Sequence, residues 1–231
     1  MNLRERPERG TIAWLPDVYG RSLLGLPLEV WRSAAECRLL IFAAIHGNEG
    51  ETTAVLSHAL RHLRTAPAHC SVVLAANPDG LIRGTRGNAR GVELNRNFPT
   101  ADWRPAPVMH RETLDDPRDV SLSPGIAPGS EPETQALMAL VRELQPDVVV
   151  ALHAPLACID DSNDTPLGRQ LAQRTGMPLV ADVGYPTPGS FGTWGAEQNL
   201  RVITYELPLI HPDDAVREHA PVLLDLLVGR L

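Results

Sequence analysis

His46-Gly47-Asn48-Glu49 puts an imidazole and a carboxylate within one short stretch of chain. Both are metal donors. A catalytic zinc takes three protein ligands, for which two histidines and a glutamate are one established set, and keeps its fourth position for water or substrate. H-x-x-E alone is a weak pattern, and its weight depends on where the chain places it. His153 is the candidate third ligand. Glu206 follows the apolar segment Val202 to Tyr205 and offers the carboxylate that a metal hydrolase needs for proton transfer. Between them, the stretch NPDGLIRGTRGNARGVELNRNFP carries Arg83, Arg86, Arg90 and Arg96 in a chain of formal net charge -7. Arginine grips carboxylates bidentately and can face a developing oxyanion. Composition does not say which of the four would do either.

Buried strands must position these groups. Leu39 to Ile45, Ser71 to Ala76, Val148 to Leu152 and Val202 to Tyr205 are short apolar runs of strand length. Between them, Glu51 to Leu63 has Val55, Leu56, Ala59, Leu60 and Leu63 on one helical face. Further helices are expected from a capping box at Ser130-Glu131-Pro132-Glu133 to about Leu144, at Leu167 to Arg174 and at Asp214 to Leu227. Arg21 to Trp31 reads as a hairpin and Asn77-Pro78-Asp79-Gly80 as a turn, while residues 97 to 129 read as a long loop. This alternation predicts an α/β fold: one compact domain, residues 1–231, with a mixed, mostly parallel central sheet flanked by helices. Ligands of such sheets bind beyond the carboxyl ends of the strands. His46, Asn77, His153 and Glu206 each follow a strand and are expected at one sheet edge, with Gly47 and Gly50 allowing a tight path between the first ligands. The other histidines, His58, His62, His69, His110, His211 and His219, are read as solvated.

Composition narrows the function. All 21 basic residues are arginine, which excludes a Schiff-base lysine or a P-loop lysine. The acidic balance argues against non-specific nucleic-acid binding. Cys37, Cys70 and Cys158 form no disulfide framework, the N-terminal segment MNLRERPERG has no apolar core, and no apolar run is long enough to span a bilayer. A cytoplasmic enzyme is expected, with monomer and homodimer both open. No G-x-S-x-G elbow points to a serine hydrolase.

In order along the chain, these residues resemble the zinc carboxypeptidases of the carboxypeptidase A type. His46-Gly47-Asn48-Glu49 resembles that family's first two zinc ligands, Asn77-Pro78-Asp79-Gly80 its conserved turn, and Leu152-His153 its third-ligand strand end. The resemblance implies one Zn²⁺ on His46, Glu49 and His153, Glu206 as general base and Arg86 polarising the scissile carbonyl. It further implies that Asn95 and Arg96, within Asn95-Arg96-Asn97-Phe98, hold the substrate carboxylate, and that Tyr185 closes over it. The segments YGRSLLGLPL, GVELNRNFP, PGSEPETQAL, PLACIDD and GYPTPGSFGTW resemble the branch of the family that acts on cell-wall peptides. The implied reaction is hydrolysis of the γ-D-glutamyl–meso-diaminopimelate amide of free murein tripeptide, in peptidoglycan recycling. Asp160 and Asp161 are candidates for contact with the side-chain amine of diaminopimelate. Competing readings are an N-acyl amino acid deacylase, like succinylglutamate desuccinylase or aspartoacylase, and a zinc- or peptide-binding module without catalysis.

Overall fold

In the computed structural model, which describes residues 10–112 and 118–231, six strands form one twisted sheet. Its members are β3 (Leu39–Phe42), β4 (Cys70–Val73), β7 (Val148–His153), β8 (Leu156–Asp160), β9 (Leu179–Val180) and β10 (Arg201–Pro208), in the order β4-β3-β7-β10-β8-β9. All neighbours are parallel except β10 and β8, which run antiparallel. The fold is therefore α/β around a mixed, mostly parallel sheet. The hairpin is β1 (Asp17–Arg21) against β2 (Pro27–Val30), so its first strand lies before the segment expected from sequence.

The pleat decides what each strand residue faces. Ile41, Val150, Leu152, Ile203, Tyr205 and Leu207 enter one core with α1 (Gly50–Leu60), α4 (Pro166–Thr175) and α6 (Pro212–Leu227). Leu40, Phe42, Val149 and Ala151 enter a second core with α3 (Pro132–Leu144) and α5 (Phe191–Glu197). In that core Phe191 meets Phe42 edge-on with centroids 4.9 Å apart, and Trp194 lies tilted beside it at 5.5 Å. His153, and Glu206 with Thr204, continue the second face, so the sheet aims them together.

Several expectations change. Asn77-Pro78-Asp79-Gly80 is the start of α2 (Pro78–Arg83) rather than a simple turn. The Asn77 side chain accepts from the Gly80 amide at 3.0 Å, Pro78 occupies the first turn, and Gly84 ends the helix at φ 66°. Residues 97 to 129 are not all loop, because β5 (Val108–Glu112) and β6 (Arg118–Leu122) pair as an antiparallel ribbon. The capping box does not form. Glu131 is the N-cap and makes no side-chain cap, while Ser130 Oγ donates to Glu131 Oε1. Glu133 accepts from Leu23 N and Asn88 Nδ2 instead, because both glutamates are buried and draw on distant donors.

Candidate metal centre and substrate cavity

The first two candidate ligands sit on the connection from β3 to α1. That connection is tight because Gly47 lies against α2: a Cβ there would stand 2.1 Å from the carbonyl carbon of Gly80. Only glycine fits. Gly50 has no such constraint, since a Cβ there would stand an ordinary 3.5 Å from Leu81, so of the two glycines expected to allow the tight path only Gly47 is demanded by space. His153 ends β7, where Glu206 on β10 is its register partner.

The three donors converge. His46 Nδ1 is 2.7 Å from Glu49 Oε1, His153 Nδ1 is 3.3 Å from Glu49 Oε2, and the two Nδ1 atoms are 3.2 Å apart. One ligand atom from each residue lies within 4.8 Å of the others, and all three residues are buried. Two imidazole nitrogens facing each other at that distance leave room for at most one proton, whereas a cation bonded to both satisfies them. Two histidines and a glutamate also match a donor set of catalytic zinc. The residues present therefore fit the metal. Burial would raise the Glu49 carboxyl, but His46 and His153 outweigh it and hold Glu49 ionised, as a ligand must be.

One carboxylate that the sequence reading missed organises the surroundings. Glu93 is 1% exposed, yet its Oε1 lies 3.0 Å from His46 Nε2 and accepts from the Asn95 amide at 3.1 Å, while its Oε2 accepts from Arg86 Nε at 2.5 Å. A carboxylate on the far nitrogen of a metal-binding histidine fixes its tautomer and ring orientation. Burial opposes the charge on Glu93, but Arg86 and then His46 hold its pKa well below the usual carboxylate range. The only sequence signal was its position two residues before Asn95 in a segment already singled out for its arginines.

Arg86, Asn95, Arg96, Tyr185 and Glu206 line the same cavity, of about 770 Å³, as the donors do, whereas Arg83 and Arg90 do not. Arg86 is anchored by Glu93 and donates from Nη1 to Glu49 Oε1 at 3.0 Å. Burial opposes its charge, but Glu93 and Glu49 keep it protonated. Asn95 and Arg96 lie on a 3-10 turn (Leu94–Arg96), where Arg96 Nη1 donates to the Asn95 carbonyl at 2.7 Å and Asn95 Oδ1 accepts from the Phe191 amide at 2.8 Å. Gly189 packs against the Arg96 backbone: its φ is 73°, and a Cβ there would stand 2.4 Å from the Arg96 carbonyl oxygen, which excludes a side chain. Tyr185 is on the cavity wall, half-exposed; burial and Glu206 raise its phenol while Arg86 and Arg96 oppose the shift. Glu206 Oε2 accepts from Leu156 N at 3.3 Å, and burial, then Glu49, pushes its carboxyl up. Asp160 also lines the cavity, but Asp161 does not. Asp161 is buried as the acceptor of Thr165 N, Thr165 Oγ1 and Asn163 N at the start of α4, so it is structural. Two histidines read as solvated are placed otherwise: His110 borders the cavity, and His219 is buried against Tyr205.

Fold and donor set together define a metallohydrolase of the carboxypeptidase kind. A zinc carboxypeptidase family model matches residues 18–157, and the chain belongs to that family. Murein peptide amidase A of Escherichia coli K12 is 47% identical over 97% of this chain and 94% of its own length. The murein peptide amidase A of Vibrio campbellii is 41% identical over 98% of this chain and 93% of its own. The crystal structure of murein-tripeptide amidase from Escherichia coli O157 superposes with a TM-score of 0.93, 45% identity and coverage of 99% of this chain and 98% of that one. Carboxypeptidase A of Helicoverpa armigera, at 19% identity and a TM-score of 0.69 over 95% of this chain and 68% of its own, shares the fold.

Proposed function

We propose that this chain is a zinc-dependent amidase that hydrolyses the γ-D-glutamyl–meso-diaminopimelate bond of free murein tripeptide. The observation that carries the reading is one cavity lined at once by the His46-Glu49-His153 group, Glu206, Arg86 and Arg96. Its volume of about 770 Å³ lies in the range of small-molecule sites. The relatives named as murein peptide and murein-tripeptide amidases match nearly the whole chain.

His46, Glu49 and His153 would hold one zinc per chain, which when bound supplies Lewis acidity toward a carbonyl oxygen and toward water. Glu206 removes a proton from the attacking water and returns it to the leaving amine; its raised pKa suits both directions of transfer. Asn95 and Arg96 hold the terminal carboxylate of the substrate, which fixes the amide over the donor group. Arg86, oriented by Glu93, adds fixed positive charge where the oxyanion develops. Tyr185 covers the bound carboxylate from the cavity wall. The whole chain, residues 1–231, acts as one catalytic domain, in the cytoplasm, in recycling of cell-wall peptides.

The test compares substrates. Zinc-loaded protein is incubated separately with L-Ala-γ-D-Glu-meso-diaminopimelate, N-succinylglutamate and N-acetylaspartate, and the products are weighed by mass spectrometry. Free diaminopimelate from the tripeptide, with both acyl amino acids intact, is the expected result. Deacylation with the tripeptide intact would make the chain an acyl amino acid deacylase. A tight tripeptide complex without product would make it a binding module.

A further inference from the structure

The cavity has a cationic wall and an anionic wall, and the mechanism uses only part of the second. Asp160 is the last residue of β8 and the register partner of Thr204 on β10. Thr204 lies two residues before Glu206 on the cavity-facing side of that strand, and both line the cavity. A two-residue step along a strand spans roughly 7 Å. Asp160 therefore stands beside the place where Glu206 acts, displaced by about the reach of a short alkyl chain.

The Asp160 carboxylate has no hydrogen-bond or ion-pair partner among the described residues, although every basic side chain here is an arginine able to provide one. Its neighbours are acidic. Asp182, which also lines the cavity, follows β9, the strand paired with Asp160, and its own carboxylate accepts from the Gly184 amide at 2.7 Å. Partial burial, then Asp182 and Asp161, push the Asp160 carboxyl above its ordinary value against a weaker opposite pull from His153. Asp161, next in sequence, is occupied in accepting from Asn163 N and from the amide and hydroxyl of Thr165, the N-cap of α4, so the alternation of the strand singles out Asp160 for the cavity.

We infer that Asp160, with Asp182 beside it, is the specificity-determining group that receives a side-chain ammonium on the residue released by cleavage. This rests on the amidase reading and sharpens it. The carboxylate of that residue is held by Asn95 and Arg96, and its side chain runs along the cavity until its ammonium meets Asp160. An ammonium–carboxylate contact in a partly desolvated cavity is a charge-assisted hydrogen bond, stronger than a neutral one. A side chain of the same length without the amine would leave the partly buried Asp160 unpaired, and the site would disfavour it.

Two tripeptides separate the possibilities: one ending in meso-diaminopimelate and one ending in 2-aminopimelate, which keeps the distal carboxylate and lacks only the amine. The wild-type protein is expected to prefer the first by about 10- to 100-fold in kcat/KM, the span of one hydrogen bond to a charged group. Asp160→Asn is expected to lose most of that preference by slowing the diaminopimelate substrate alone. Asp182→Asn, a milder change at an exposed position, is expected to reduce it in the same direction. Melting temperature and zinc content serve as controls for folding. An equal loss on both substrates in Asp160→Asn, or an unchanged preference in both variants, would overturn the assignment. Absence of cleavage of either tripeptide by the wild type would instead defeat the amidase reading itself.

Discussion

Glu206 and His153 are register partners on adjacent parallel strands, so β10 carries a carboxylate level with a candidate metal ligand on β7 and on the same face of the sheet. Neither depends on a mobile loop for its position. Glu206→Gln keeps size and polarity but removes the base. We expect it to bind zinc as the wild type does and to lose about 10²- to 10⁴-fold in kcat. Metal analysis beside single-turnover kinetics checks this, and wild-type turnover in the variant would remove Glu206 from the mechanism.

Glu93 acts through His46. Glu93→Gln leaves His46 Nε2 without its carboxylate and loosens Arg86 and the Asn95 turn. Zinc affinity is expected to fall by about 10- to 100-fold, the usual cost of losing such a partner. Competition with a chromophoric chelator reads it directly. Unchanged affinity would show that Glu93 merely fills space.

Arg96→Lys keeps the charge and loses the planar fork. With Asn95 in place, kcat/KM is expected to drop by at least about tenfold, consistent with the loss of a bidentate charge-assisted contact. A tripeptide amidated at its terminal carboxylate should be cleaved equally slowly by both proteins. A variant that still discriminated strongly between free and amidated ends would place the carboxylate elsewhere.

His219 is 4% exposed and 2.7 Å from the Tyr205 hydroxyl, beneath the sheet position next to Glu206. Burial lowers its pKa against a weaker opposite pull from Glu218. The folded state therefore keeps the ring neutral where the unfolded chain already binds a proton. That contribution to stability is complete above about pH 6.5, the ordinary value of imidazole, and is lost as pH falls below it toward the folded value. His219→Gln can still pair with Tyr205 but does not titrate. Melting temperatures between about pH 7.5 and 5.5 should fall more steeply for the wild type than for the variant, with a gap of about 2–4 °C for each kcal/mol of linkage. Parallel curves would contradict this.

Much of this site was legible because its chemistry sits at strand ends. Apolar runs located β3, β7 and β10; His46 follows β3 and His153 ends β7, while Glu206 lies inside β10, two residues before its end. What sequence did not show depends on distant contacts. Glu93 looks like any loop glutamate until the 3-10 turn folds it beneath His46. β8 and β9 are short, and the antiparallel placement of β8 beside β10 is a tertiary choice that no local pattern announces. Asp160 and Asp161 are equivalent as letters, and only the period of the strand sends one to the cavity and the other to α4. The capping box failed for a similar reason, because buried partners outbid a local hydrogen bond.

Purified protein, zinc-loaded or treated with a chelator and then reconstituted with zinc, is mixed with L-Ala-γ-D-Glu-meso-diaminopimelate, and free diaminopimelate is measured. Release by the loaded protein, its loss with the chelator and its return with zinc are the expected results. Release that persists after the metal is stripped, or none from protein carrying one zinc per chain, would contradict the account.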